Sequence, residues 1–466
     1  MLDPITRRPL PEPVLTALAA RFGDRFSRTE AMRRQHSNIF TWYKNQPPDA
    51  VVFATTTEDV QEVVRLCATH RVPLIPFGTG TSLEGHLNAP FGGISIDLSR
   101  MDAILAVHAE DLDCSVQPGV TRTKLNSFIR DQGLFFPIDP GADASLGGMA
   151  STRASGTNAV RYGTMKDAVL RLTAVMPDGE LVRTARRAKK SSAGYDLTRL
   201  LVGAEGTLGV ITELTLRLHP IPEAIAAAVC GFETLNGAVE TAMVSIQAGL
   251  PLARIELLDA LQIRACNIYS KLALAEVPTL FVEFHGSKRD VDEQIALFED
   301  IAREHAGKDF NFATKAEERT KLWQARHDAA FATLVLRPGA KIVATDACVP
   351  ISRLVDCVME TKADLDENQL VGTMLGHVGD GNFHVALLAD GSDAAEMARA
   401  TGFVERLALR AIAMDGTCTG EHGVGQGKIK YLETEHGGAL HAMQAIKQAL
   451  DPDNIMNPGK IFAAAP

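Results

Sequence analysis

The side chains best suited to chemistry stand in residues 376–388, GHVGDGNFHVALL. Two histidines, His377 and His384, flank Asp380-Gly381, a pair that favours a two-residue hairpin turn because both positions tolerate positive φ. With the turn centred there, Val378 pairs with Phe383 and His377 with His384. The two imidazoles then project from one face with Cβ atoms about 5 Å apart, while Val378 and Phe383 turn to the core. That separation lets both rings reach one divalent ion; the same pattern also suits two unrelated histidines on an exposed sheet face. Further along, GTCTGEHGVG (residues 416–425) adds Glu421 and His422 in a glycine-rich loop. A His-His-Glu set leaves positions on Zn²⁺, Mn²⁺ or Fe²⁺ for the hydroxyl and carboxylate oxygens of a substrate. Such an ion lowers the hydroxyl pKa, and a neighbouring base can take the proton.

Three further loops have the composition of a phosphate or ring cradle. PFGTGTSLEGH (residues 76–86) sets Gly78, Gly80 and Gly85 among Thr79, Thr81 and Ser82 directly after a strand, so backbone N–H groups and hydroxyls can wrap a pyrophosphate. The spacing is not G-x-G-x-x-G, which speaks against a nicotinamide Rossmann site. DPGADASLGGMASTRASGTNAVRYG (residues 139–163) is long and nearly free of bulky groups, as backbone packed on a flat extended ligand would be; GAEGTLGVIT (residues 203–212) again leads into a β-branched strand. GEHGVGQGKI only resembles a P-loop: His422 stands five residues before Gly427 where Gly is needed, and Ile429 follows Lys428 where Ser or Thr must bind Mg²⁺.

Regular elements must hold these loops in place. Residues 50–54 read as a strand, followed by Thr57 as N-cap with Glu58 and Asp59 in the first turn. Val60, Val63, Val64 and Cys67 keep the i, i+3, i+4, i+7 spacing of a helix, and VPLIPF reads as a buried strand. A similar unit follows, with LDCSVQPG as strand and Leu125, Phe128 and Ile129 as the inner face of a helix ending at Gly133. LRLTAVMPDGELVRT makes a hairpin around Pro177-Asp178-Gly179. From about residue 222 the pattern changes: ARIELLD and TLFVEFHG read as strands and DVDEQIALFEDIAREHA as an amphipathic helix. LHAMQAIKQALDP is one more helix before a tail with buried hydrophobics. Neither an internal repeat nor a low-complexity segment is evident.

Composition narrows the partners. With 47 Lys plus Arg against 57 Asp plus Glu, the chain lacks the basic stripe that a nucleic-acid backbone demands; the short run Arg186–Lys190 reads as a solvated loop. Seven scattered cysteines without a C-x-x-C pair support neither a disulfide framework nor an iron–sulfur cluster. No stretch approaches 18 apolar residues, and MLDPITRRPLPEPVL has neither a signal h-region nor a transit-peptide pattern. A cytoplasmic location, or a peripheral one at a membrane, is the expectation.

At the three small-residue loops the sequence resembles the FAD-binding domain of the vanillyl-alcohol oxidase and p-cresol methylhydroxylase superfamily. The resemblance implies that Pro76, Gly78, Thr79, Gly80, Thr81, Ser82 and Gly85 hold phosphate. It implies that Pro140, Gly141, Ala142, Asp143, Gly148, Met149, Ser151, Thr152, Ser155, Gly156, Asn158, Tyr162 and Gly163 line the flavin, and that Glu205, Gly206, Gly209 and Ile211 lie near its adenine end. Asn457, in the tail Asn457–Lys460, returns to the same domain. FAD is expected to be held non-covalently, with His86 the residue to suspect if it were not.

LWQARH (residues 322–327), TDACVPISRL (residues 345–354) and the histidine motifs are similar to the D-2-hydroxyacid dehydrogenase branch, most of all to its FAD-dependent D-lactate dehydrogenases. That implies His377, His384 and Glu421 as ligands of a divalent Zn, Mn or Fe ion, His422 as general base and Arg326 as the clamp on a substrate carboxylate, a role that suits its bidentate fork. The expected fold is α+β: a two-lobed FAD-binding domain (1–221), an α+β cap with an antiparallel sheet (222–427) and a C-terminal segment returning to the first (428–466). The expected reaction oxidises a small D-2-hydroxy acid, D-lactate favoured, and hands electrons to cytochrome c, a quinone or an electron-transfer flavoprotein. Alternatives are a D-2-hydroxyglutarate dehydrogenase, the flavin subunit of a glycolate-oxidising complex, and a reductase of an enoyl sugar nucleotide.

Overall fold

Val51 and Val52 are fully buried in the strand Ala50–Phe53, and the helix Thr57–His70 that follows packs Val60, Val63, Val64 and Cys67 inward with no exposure. Burying each such side chain is worth about 1.5–3 kcal/mol. The cap is Thr56 rather than Thr57, because Thr56 has the extended backbone and its hydroxyl accepts from the Asp59 N–H at 3.1 Å. The computed structural model describes residues 7, 9–37, 41–313 and 315–463, with only the backbone at 309. It divides into two units, Met1–Ser155 with Thr164–Pro220 and Glu421–Pro466, and Gly156–Gly163 with Ile221–Gly420. Residues 1–6 and 464–466, the outermost parts of the expected flavin domain, lie outside the described residues.

Among the described residues of the first unit, a four-stranded sheet runs Phe26–Ser27, Ala50–Phe53, Ile94–Asp97, Leu74–Phe77, its last three strands parallel. A five-stranded antiparallel sheet orders Ile104–His108, Asp113–Val116, Val210–Arg217, Val169–Val175 and Leu181–Arg183. The last two of these form the expected hairpin, with Gly179 at φ +83°. Helix Arg122–Ile129 buries Leu125 and Ile129, but Phe128, expected on the same face, is 58% exposed. Leu125 and Ile129 lie four residues apart on one line of the helix, and Phe128 falls to the side of it.

The second unit is built on an antiparallel sheet whose path is Gly307–Ala313, Ala224–Phe232, Thr279–Gly286, Arg254–Leu258, Gly372–Gly376, Asn382–Ala389, Lys341–Ala344. Helix Lys288–Glu304 starts in a capping box made by Ser287 and Asp290 and buries Val291, Phe298 and Ile301. No described helix is long and apolar enough to cross a membrane.

Candidate functional site

In the first unit the three small-residue loops meet. The Ser145 N–H reaches Thr79 Oγ1 at 3.3 Å, and a Cβ on Gly78 would lie 2.3 Å from Ser145 Oγ. Gly206, at φ +71°, stands so close to Pro76 that a Cβ would come within 2.9 Å of its ring. Asn457 ties first, third and terminal segments together: its N–H donates to Leu74 O at 2.8 Å and its amide to Glu205 O at 2.7 Å. The Glu205 N–H donates to Ser151 O at 2.8 Å.

A flavin dinucleotide needs N–H donors and closely approachable backbone, and this convergence supplies both. Among the described residues, the N–H groups of Gly78, Thr79, Gly80 and Thr81 donate no hydrogen bond, and Ser145 Oγ is buried without a partner. These residues fit FAD. Others in the loops serve the scaffold. Met149 and Ile211 have side chains in the apolar core, Ser151 and Thr152 hydroxyls bond back to Gly147 O and Gly148 O, and the Asp143 carboxylate takes the Thr123 N–H. Ser155 is buried in this unit, Pro140, Ala142 and Gly148 are half-buried, and Gly141 is exposed.

The 421–425 segment is anchored within the same unit by two buried carboxylates. Glu205 accepts the N–H groups of Val424 and Gly425 at 2.7 and 2.8 Å, with His86 Nε2 3.3 Å away. Glu84 lies 3.7 Å from His422 Nδ1 and 3.4 Å from Lys428 Nζ, and accepts from Tyr43 Oη at 3.0 Å. Burial alone would raise both carboxyls; for Glu205 the charge and hydrogen bond of His86 together with the two amides, and for Glu84 the charges of Lys428 and His422, outweigh it and hold both below the ordinary range. His422 is thus backed by an anion, which steadies an imidazolium formed when the ring takes a proton. His86 is engaged with Glu205.

In the second unit the hairpin differs from its expected register. His384 faces Leu375, not His377, and the chain turns through a 3₁₀ segment, Val378–Asp380. Gly381 takes φ +77° while Asp380 does not join it in that region, so the two-residue turn, which requires positive φ at both centres, cannot form. A slip of two residues preserves the face. His377 and His384 therefore still approach each other, ring centroids 5.6 Å apart and nearly perpendicular, and Val378 and Phe383 are buried as expected.

Each ring is held from behind. Glu256, fully buried on Arg254–Leu258, accepts from His377 Nδ1 at 2.7 Å, and a carboxylate can only accept. Thr345 O accepts from His384 Nδ1 at 3.1 Å, with Asp346 Oδ1 at 3.6 Å. Both rings are thereby oriented to offer Nε2 to an ion. Arg326, 7% exposed, donates from Nε and Nη2 to Glu256 Oε2 at 2.9 and 2.6 Å. From the flavin loop, Gly156, Asn158, Tyr162 and Gly163 fall in this unit: Asn158 Oδ1 accepts from Arg254 Nε at 2.9 Å, and Tyr162 Oη meets His285 Nδ1 at 2.7 Å, itself 2.8 Å from Glu283. Sequence reasoning missed Glu256, Asp346, Glu84 and Glu283. The available signal was an acidic residue inside an otherwise apolar strand, as in Arg254-Ile-Glu-Leu-Leu258.

Comparison with known proteins agrees with this geometry. Residues 48–185 match the family described as "FAD binding domain" and residues 221–461 the family described as "FAD linked oxidases, C-terminal domain". A zebrafish (Danio rerio) protein named "Probable D-lactate dehydrogenase, mitochondrial" is 52% identical over 93% of this chain and 88% of its own. "D-lactate dehydrogenase [cytochrome], mitochondrial" of Arabidopsis thaliana is 48% identical over 89% of this chain and 73% of its own. The solved structure of p-cresol methylhydroxylase with substrate bound superposes with TM-score 0.81 at 18% identity, over 98% of this chain and 99% of that one. The chain has the fold of p-cresol methylhydroxylase and belongs to the FAD-linked oxidases, in the branch that holds the D-lactate dehydrogenases.

Proposed function

We propose that the protein oxidises a small D-2-hydroxy acid, D-lactate before others, to the 2-oxo acid, using non-covalent FAD and a divalent ion. The observation that carries the reading is the pair His377 and His384, each with Nδ1 held so that Nε2 can ligate, in a chain 52% identical to a protein named for D-lactate. Bound, FAD would supply the hydride acceptor and the ion would acidify the substrate hydroxyl. His377, His384 and Glu421 would hold the ion. Arg326 fixes the substrate carboxylate, and His422 takes the hydroxyl proton at its imidazole with Glu84 balancing the charge gained. The Gly78–Thr81 amides and the loops around Ser145 and Gly206 hold the dinucleotide. The three loops supply a binding site without an evident attachment residue, and His86 Nε2 faces Glu205 at 3.3 Å, so acid precipitation should leave the flavin in solution; a yellow pellet would contradict non-covalent binding.

Electrons then leave for a separate acceptor. The name of the Arabidopsis relative makes a cytochrome the first candidate, ahead of a quinone or an electron-transfer flavoprotein, with the protein cytoplasmic or peripheral at a membrane. Chelation of the purified protein, followed by measurement of both turnover and bound flavin, tests the ion. Turnover should vanish with flavin retained, and His384→Ala should lower kcat by roughly 100-fold. Full activity in a demonstrably metal-free sample would remove the ion from the mechanism.

A further inference from the structure

We propose that Glu256 is a positioning residue shared by two functions, fixing His377 for the ion and Arg326 for the substrate carboxylate at once. Its two oxygens are divided between the two partners: Oε1 takes His377 Nδ1 at 2.7 Å, and Oε2 takes Arg326 at 2.6 and 2.9 Å. These partners come from segments 121 and 70 residues away along the chain. The Glu256 side chain is 1% exposed and that of Arg326 8%, so water cannot readily replace either bond. A plain structural ion pair would need only one of these contacts. Arg326 commits its Nε–H and one Nη2–H to Glu256, which leaves both Nη1–H groups and the second Nη2–H as the edge that can fork onto a substrate carboxylate. The carboxylate also makes the His377 ring a better donor of electrons to a cation, as a carboxylate behind a ligating histidine does.

His384 provides an internal comparison. Its Nδ1 donates to Thr345 O, and the Asp346 carboxylate, which accepts from Asn382 and Thr419, lies 3.6 Å behind it. Glu256 can play the double part only if His377 holds an ion and Arg326 the substrate, the roles proposed above.

The test uses the FAD-loaded protein stripped of divalent ions. Zn²⁺ and Mn²⁺ affinities are read by competition with a chromophoric chelator, and KM and kcat for D-lactate with an artificial acceptor at saturating ion. Glu256→Gln should lose ion affinity by about 10- to 100-fold and, with the ion saturating, still raise KM several-fold. Asp346→Asn should lose ion affinity without raising KM under those conditions. Arg326→Gln alone should keep the affinity of the unmodified protein, and Glu256→Gln/Arg326→Gln, which leaves no orphaned buried charge, should show the ion loss even if the single Glu256 variant does not fold. Unchanged ion affinity in the Glu256 variants, or the same KM rise in Asp346→Asn, would overturn the shared role. Failure of the unmodified protein to bind either ion would overturn the ion reading itself, before any variant is made.

Discussion

Two residues beyond His384, on the same face of its strand, stands Ala386, 5% exposed and opposite Thr373. It belongs to an apolar cluster with Leu375, Phe281 and Ala329. The side chain of D-lactate is a methyl group, which suits such surroundings, whereas D-2-hydroxyglutarate would bring a second carboxylate. Leaving that carboxylate buried and unpaired costs several kcal/mol, enough for a preference of roughly 100-fold. The kcat/KM for D-lactate or D-2-hydroxybutyrate should exceed that for D-2-hydroxyglutarate by about this factor. A higher value for D-2-hydroxyglutarate would reverse the assignment. Lys341, exposed on the neighbouring strand of the sheet, would then be the first donor to mutate.

Gly147 lies in the helix Leu146–Thr152 within the second flavin loop, where alanine would be favoured by about 1 kcal/mol on propensity. A Cβ there would stand 2.5 Å from Pro118 Cβ and 3.0 Å from its backbone, and overpacking of that kind costs about 1–3 kcal/mol. The clash should win: Gly147→Ala should lower Tm and weaken flavin retention, and an unchanged or higher Tm would show that the loop can yield.

Asp259 caps the helix Ala260–Ser270 through the Gln262 N–H at 2.7 Å, yet burial, only partly offset by that amide, pushes its carboxyl up to about 6. The folded pKa then lies above the unfolded one. Ionisation of Asp259 costs no stability below the unfolded pKa, near 3.8; stability falls progressively as pH rises from there to about 6 and stays lower above it. Asn caps as well as Asp and never ionises. Asp259→Asn should therefore stabilise the protein by about 1–3 kcal/mol at pH 7.5 and by little near pH 4; equal effects in urea titrations at the two pH values would contradict the burial effect.

For the molecule as a whole, what could be read in advance was local. Val60, Val63, Val64 and Cys67 announce their helix by spacing, and the flavin loops by runs of small residues. His377 and His384 share a face because a hairpin's period of two survives a slip of two residues. Glu256 with Arg326, or Glu84 with His422, could not be read, since such pairs join strands and helices far apart in sequence and depend on sheet order. For the same reason residues 156–163 and 421–427, each continuous in sequence with a loop of known character, group differently in space from the boundaries at 222 and 428. Whether a D-2-hydroxy acid reduces bound FAD is read by adding D- and L-lactate separately to the purified holoprotein without oxygen and following the flavin absorbance. D-lactate should bleach the flavin and L-lactate leave it oxidised; a flavin that stays oxidised with D-lactate and every other D-2-hydroxy acid, or that is bleached by L-lactate alone, would contradict the account.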